Sequence, residues 1–165
     1  MRGARRDPRR RAREIALQIL YQWDVGRTDV ATAADTYFDL QWAGPEEATP
    51  ELRTSATELA HETVRRLTEA DALIAETAER WRPERMAVLD RLILRMAIAE
   101  LLGHVRGDSH VRESAPSAVV INEALELART FSSEESVKFI NGMLDAVRKK
   151  LEQPGSQSAA SGNVT

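Results

Sequence analysis

The chain has no cysteine in 165 residues. That excludes a disulfide framework, a thiolate metal site and cysteine catalysis, and it fits a reducing compartment. Histidine is nearly as scarce. His61, His104 and His110 are the three, and no two stand at the i, i+4 spacing of a helical metal site. His104 and His110 share a polar stretch with Asp108 and Glu113, where solvated loop residues are the plainer reading than metal ligands. The eight glycines are scattered, so no glycine-rich turn is present to cradle a phosphate. Nowhere do 18 apolar residues run together, and the arginine-rich start leads into an amphipathic segment rather than the apolar stretch of a secretory signal. The expectation is a soluble, cytoplasmic protein with no metal, no cofactor and no membrane anchor, and not an enzyme.

Lysine is scarce as well, 3 residues against 20 arginines. The arginines crowd one end: Met1 to Arg13 hold seven Arg and one Asp, so this stretch carries +6 in a chain whose total is -3. A block of cations on an otherwise acidic protein is a footprint of nucleic-acid or anionic-surface binding, because concentrated charge gains most from counterion release. A solvated tail has the same composition. What favours a positioned surface is continuity, since Arg9-Arg10-Arg11-Ala12-Arg13-Glu14 runs without a break into the helix pattern Ile15, Ala16, Ile19, Leu20, Trp23. The length allows one compact domain with a core.

Apolar spacing of three and four recurs almost from end to end, and strict alternation never lasts, so the chain reads as all-α. The spacing predicts a first helix over 10–25 capped by Gly26. A second covers 29–42 with Asp29 as cap. A third follows Thr49-Pro50-Glu51 and reaches Leu67, and a fourth spans Asp71 to Trp81. The strongly apolar fifth runs from Leu89 to Gly103 and reads as central. Residues 103–116 read as an exposed loop, and Arg106-Gly107-Asp108 within it spells an adhesion tripeptide short enough to arise by chance. A sixth helix runs from Ser117 to Phe131, and a seventh carries Val137, Ile140, Leu144, Val147 and Leu151. Ser132 with Glu135 forms a capping box before it. Gly142 inside that helix points to a close helix approach. Phe139 lies off the core line beside Lys138, where it is open either to core packing or to stacking on an unpaired base. Residues 1–8 are expected to form a flexible basic arm, and residues 154–165, rich in Ser, Gly and Gln, a disordered tail.

Four motifs stand in order between residue 9 and about 151. They are the arginine run with Ala16, Leu20, Tyr21 and Trp23; Asp90 with Ile93-Leu94-Arg95; Ile121-Asn122-Glu123-Ala124-Leu125-Glu126-Leu127-Ala128-Arg129; and Ser136, Lys138-Phe139-Ile140-Asn141-Gly142, Leu144-Asp145. Together they closely resemble the NusB family of bacterial transcription antitermination factors. The resemblance implies two packed helical bundles within a domain over 9–153. It also implies a function: pairing with NusE, a small-subunit ribosomal protein, to bind single-stranded boxA RNA in ribosomal RNA leaders, so that RNA polymerase reads through terminators and the transcript matures. The family's RNA-binding motif falls on Arg9, Arg10, Arg11 and Arg13, with Arg6 as an addition. Tyr21 and the segment from Phe131 to Phe139, with Glu135, Ser136 and Lys138, complete the implied RNA surface. Glu135 stands where the family pattern has aspartate, which keeps the carboxylate but lengthens it. Asp90 matches a NusE-facing position, against the alternative of a surface residue paired with a neighbouring arginine.

Two other readings remain open from these residues. A NusB-like domain also occurs at the N-terminus of some ribosomal RNA cytosine methyltransferases, and an interaction module could bind NusE, or itself as a homodimer, without reading RNA.

Overall fold

Proline at the first position and a continuous apolar stripe account for α1, Pro8–Gly26. Pro8 lacks the N–H that a first helical turn leaves unused, and Ala12, Ile15, Ala16, Ile19 and Leu20 are buried along one face. The arginine run is therefore helical from Arg9 onward. The computed structural model describes residues 8–42, 48–78, 85–109, 111 and 115–153. Residues 1–7 of the expected arm with Arg6, the expected tail over 154–165, Trp81, His110 and Glu113 lie outside the described residues. Gly26, expected as the cap of α1, is still helical; the left-handed residue is Arg27, with φ 51°.

Asp29 caps α2, Val30–Thr36, its side chain accepting the Thr32 N–H at 2.9 Å. The helix expected to continue to 42 widens instead into a π-turn, Tyr37–Gln41. Positions 37, 38 and 42 would span about 140° on an α-helix, too wide for three large rings to share one narrow face. In the wider turn Tyr37 is buried, and Phe38 and Trp42 pack against the same core. Tyr37 and Phe38 meet edge to face at 5.2 Å, and Leu40 is turned out, 80% exposed.

Thr49 caps α3, Pro50–Arg65, by accepting the Leu52 N–H at 3.2 Å. α4, Leu67–Thr77, starts four residues before the expected Asp71, because the chain breaks at Arg66 alone and resumes its helix at once. α5, Val88–Arg106, is central as expected and packs on α1, α3 and α4 as well as on the two helices that follow it. Every residue from Leu92 to Ala99 is buried, and Arg95 can be among them because Asp71 of α4 accepts from it at 2.8 and 2.9 Å. The helix continues past Gly103 to Arg106, where Gly107 takes the left-handed conformation at φ 66°. The basic residues His104 and Arg106 in the last turn suit the negative end of the helix dipole. The expected loop is shorter by that much.

The tripeptide at this helix end is structural. Arg106 donates to Glu69 of α4 at 2.8 Å, and Asp108 accepts from Arg66, whose Nε also donates to buried Glu62 at 2.7 Å. Burial alone would push the Glu62 carboxyl up, but the Arg65 and Arg66 guanidiniums hold it below its usual range. The Arg66 guanidinium likewise lowers Asp108, and Arg106 lowers Glu69. Carboxylates lowered in the folded state stabilise it above their unfolded pKa, and that contribution is lost as pH falls through the folded value.

α6, Ser117–Phe131, and α7, Glu134–Glu152, complete the fold. α1, α2 and α3 pack on one another, α4 to α7 gather around α5, and α1 and α3 join the two bundles through α5. The cap of α7 is Ser133, whose hydroxyl accepts the Ser136 N–H at 3.1 Å. The Ser132–Glu135 box is not formed, because Ser132 turns to Asp90. Among the described residues there are seven α-helices and no strand, and none of these helices is long and apolar enough to cross a membrane.

The close helix approach expected at Gly142 is absent there; Gly142 is exposed, and a Cβ on it would meet nothing within 4 Å. The tight position is buried Gly103, where a Cβ would stand 3.0 Å from Cβ of Ser109. The two glycines should respond with opposite signs in urea unfolding. Gly103→Val should cost about 1–3 kcal/mol by overpacking, and Gly142→Ala should stabilise by about 0.5–1 kcal/mol through helix propensity.

Candidate nucleic-acid interface

Successive helical residues fan out by 100°, so the arginines of α1 cannot share one environment. Arg13 falls on the core side next to Ala12 and Ala16 and is only 5% exposed. Its Nε and Nη2 donate to Glu100 of α5 at 3.3 and 2.9 Å. Arg10, one turn earlier, reaches α6, where its Nε and Nη2 each donate to Glu123 at 3.1 Å. Arg11 is half-buried with its guanidinium carbon 4.8 Å from the centre of the Trp42 ring, a cation–π contact. Arg9 is exposed and borders a groove with Thr49, Glu51 and Leu52 of the α3 start.

The two carboxylates form one electrostatic unit with the arginines. Burial pushes the Glu100 carboxyl up, Arg13 draws it back, and the nearby charge of Glu123 pushes it up again; the net direction is upward. The sequence reading did not find these partners, although the signal was present. Glu100 lies on the apolar line through Ile93 and Met96, and Glu123 on the line through Val120 and Leu127. An acidic residue on a core line demands a cation.

Tyr21 and Phe131, far apart in the chain, meet across an apolar groove of about 650 Å³. Leu17 and Val25 of α1 and Leu89 at the start of α5 share its walls. Tyr21 is 44% exposed at its rim. Asp90, next to Leu89, is almost buried. Its Oδ1 accepts from the Ser132 hydroxyl and its Oδ2 from Ser136 at 2.6 Å, so among the described residues its partners are serines and not a neighbouring arginine; Arg91 instead donates to Asp24 at 2.8 Å. Asp90 thereby fixes the turn between α6 and α7 and occupies the Ser136 hydroxyl. Glu135 and Lys138 are exposed on α7. Phe139 is half-buried, packed on the core, and does not line the Tyr21–Phe131 groove.

An arginine-bearing helix docked on a helical core beside an aromatic-rimmed groove defines a class, the all-α binding proteins with a surface suited to nucleic acid. The chain belongs to the NusB family, whose model matches residues 10–149. The transcription antitermination protein NusB of Solibacter usitatus is 44% identical over 151 residues, which cover 92% of this chain and 95% of that one. The solved structure of T. maritima NusB superposes with a TM-score of 0.71 at 30% identity, covering 87% of this chain and 92% of that one. A solved complex of antitermination factors NusB and NusE with dsRNA shows the same fold, with a TM-score of 0.70 at 23% identity over 87% of this chain and 97% of that one. The family is one of transcription antitermination proteins and not of enzymes.

The Asp90 contacts predict a stability effect independent of any partner. Asp90→Ala strands two serine hydroxyls at the α6–α7 turn and should cost about 1–3 kcal/mol in urea unfolding, whereas Asp90→Asn keeps an acceptor and should cost less.

Proposed function

We propose that this protein is a cytoplasmic transcription antitermination factor that binds boxA RNA of ribosomal RNA leaders together with NusE. In that complex it promotes read-through by RNA polymerase and maturation of the transcript. The observation that carries the reading is the placement of α1: Arg9, Arg10 and Arg11 reach the surface from a folded helix, and the same helix carries Tyr21 into the groove shared with Phe131. Membership of the NusB family supports it, as does the related NusB that was solved with NusE and RNA.

Affinity and choice of strand divide between two sets of residues. Arg9 and Arg11 supply phosphate contacts, which hold a strand without reading it. Unpaired bases are read by aromatic and polar groups, here Tyr21, Phe131, Phe139, Lys138 and Glu135. Arg10 and Arg13 belong to the same surface through the carboxylates that orient them, and Ser136 through Asp90. Asp90 is assigned to the NusE side by its match to the family pattern, and it would act there through the α6–α7 turn that it holds rather than by direct contact.

Titration of labelled boxA and scrambled RNA, with and without NusE, tests the reading. The boxA strand should bind more tightly, and NusE should widen the difference; equal binding of both strands under both conditions refutes it. Arg9→Gln and Arg11→Gln should each flatten the log-log salt dependence by about 0.7. Phe139→Ala should weaken boxA binding by about 1–3 kcal/mol beyond any loss in the folded fraction, which circular dichroism measures in parallel.

A further inference from the structure

We propose that Glu123 sets how strongly the arginine helix grips RNA, by holding Arg10 in an ion pair that cancels its charge. The inference rests on the RNA-binding reading of α1 and assigns a further residue to it. Glu123 is not a helical neighbour of Arg10; it comes from α6, 113 residues away, and meets the guanidinium with both oxygens at 3.1 Å. The Arg10 side chain is 40% exposed and the Glu123 side chain 11%. The cation therefore lies at the surface that a strand would follow, and the anion lies beneath it.

That arrangement limits what a phosphate can gain. To take over both donors it must displace Glu123, which would leave a nearly buried carboxylate without its cation, and breaking a buried pair from one side is strongly unfavourable. Glu100 lies close enough to Glu123 to feel its charge, and it is already committed to Arg13. No spare cation is supplied from that side. Arg10 thus offers a phosphate its outer edge and little net charge, and the grip of the helix is weaker than a count of arginines implies. Weak grip suits a factor that must load onto a transcript and leave it.

Removing the negative charge should strengthen binding. Glu123→Gln keeps an acceptor oxygen for Arg10 while exposing one net cation to the strand. Fluorescence anisotropy with a labelled single-stranded boxA RNA should show binding several-fold tighter at low salt, with the log-log salt slope steeper by about 0.7. Between about 50 and about 200 mM salt that steeper slope removes about 2.6-fold of the advantage. The paired variant Arg10→Gln with Glu123→Gln carries the wild-type net charge and should bind within about two-fold of wild type with an unchanged slope, as counterion release depends on charge. If E123Q binds no more tightly, or the paired variant loses about 0.7 of slope, Arg10 already grips phosphate and the proposal is overturned. Should E123Q fail to fold, the paired variant decides alone, since it leaves neither charge buried and unmatched. A wild-type protein whose RNA binding ignores salt would instead overturn the RNA reading of α1.

Discussion

The pair between Arg13 and Glu100 is the contact on which the placement of the first helix depends. Both side chains are nearly buried, at 6% and 10% exposure, and they join α1 to the central α5. Such a pair is a poor source of net stability, because desolvating two ions offsets their attraction, yet removing either partner leaves a buried charge and costs about 3–5 kcal/mol. The consequence is geometric. Apolar packing of Ile15, Ala16 and Ile19 holds the helix to the core but is tolerant of small rotations, whereas a two-donor contact to a planar carboxylate is directional. With Arg13 pinned, the azimuth of Arg9, Arg10 and Arg11 follows from the helical repeat.

A second consequence is electrostatic. The chain is acidic overall, and Arg9, Arg10, Arg11 and Arg13 of its basic end stand within a helix. Carboxylates from α5 and α6 lie against that helix, so charge on the surface is set by partners from the second bundle. The two bundles are therefore not independent modules: one presents the arginines and the other tunes them. The Tyr21–Phe131 groove likewise draws on both bundles, with Tyr21 of α1 and Thr36 of α2 from one and Leu89 of α5 and Phe131 of α6 from the other.

What could be read in the sequence was what a few adjacent residues encode. Apolar periodicity located all seven helices, and Asp29 and Thr49-Pro50 marked where two of them begin. Choices between adjacent candidates were harder. Ser132 and Ser133 are equally good caps in isolation, and only the presence of Asp90 on another helix draws Ser132 away. Gly103 and Gly142 look alike as helical glycines until Ser109 is placed against one and solvent against the other. The arginine run was legible as a basic surface and, by resemblance, as an RNA-binding motif. Its internal differences were not, because Arg10 and Arg13 acquire their partners from residues about a hundred positions away. The π-turn escaped for a related reason: it answers to the packing of three rings and has no local signature.

If α1 presents its arginines as the structure has them, the turn that bears them is already folded in the free protein. Amide hydrogen exchange at Ala12, Arg13, Glu14 and Ile15 in the free protein tests it most directly, since these are the first N–H groups of α1 with intrahelical acceptors. Exchange should be slowed well below unfolded-peptide rates without RNA, with little further slowing when boxA RNA is added. Exchange at unfolded-peptide rates in the free protein, with protection appearing only on RNA binding, would contradict it.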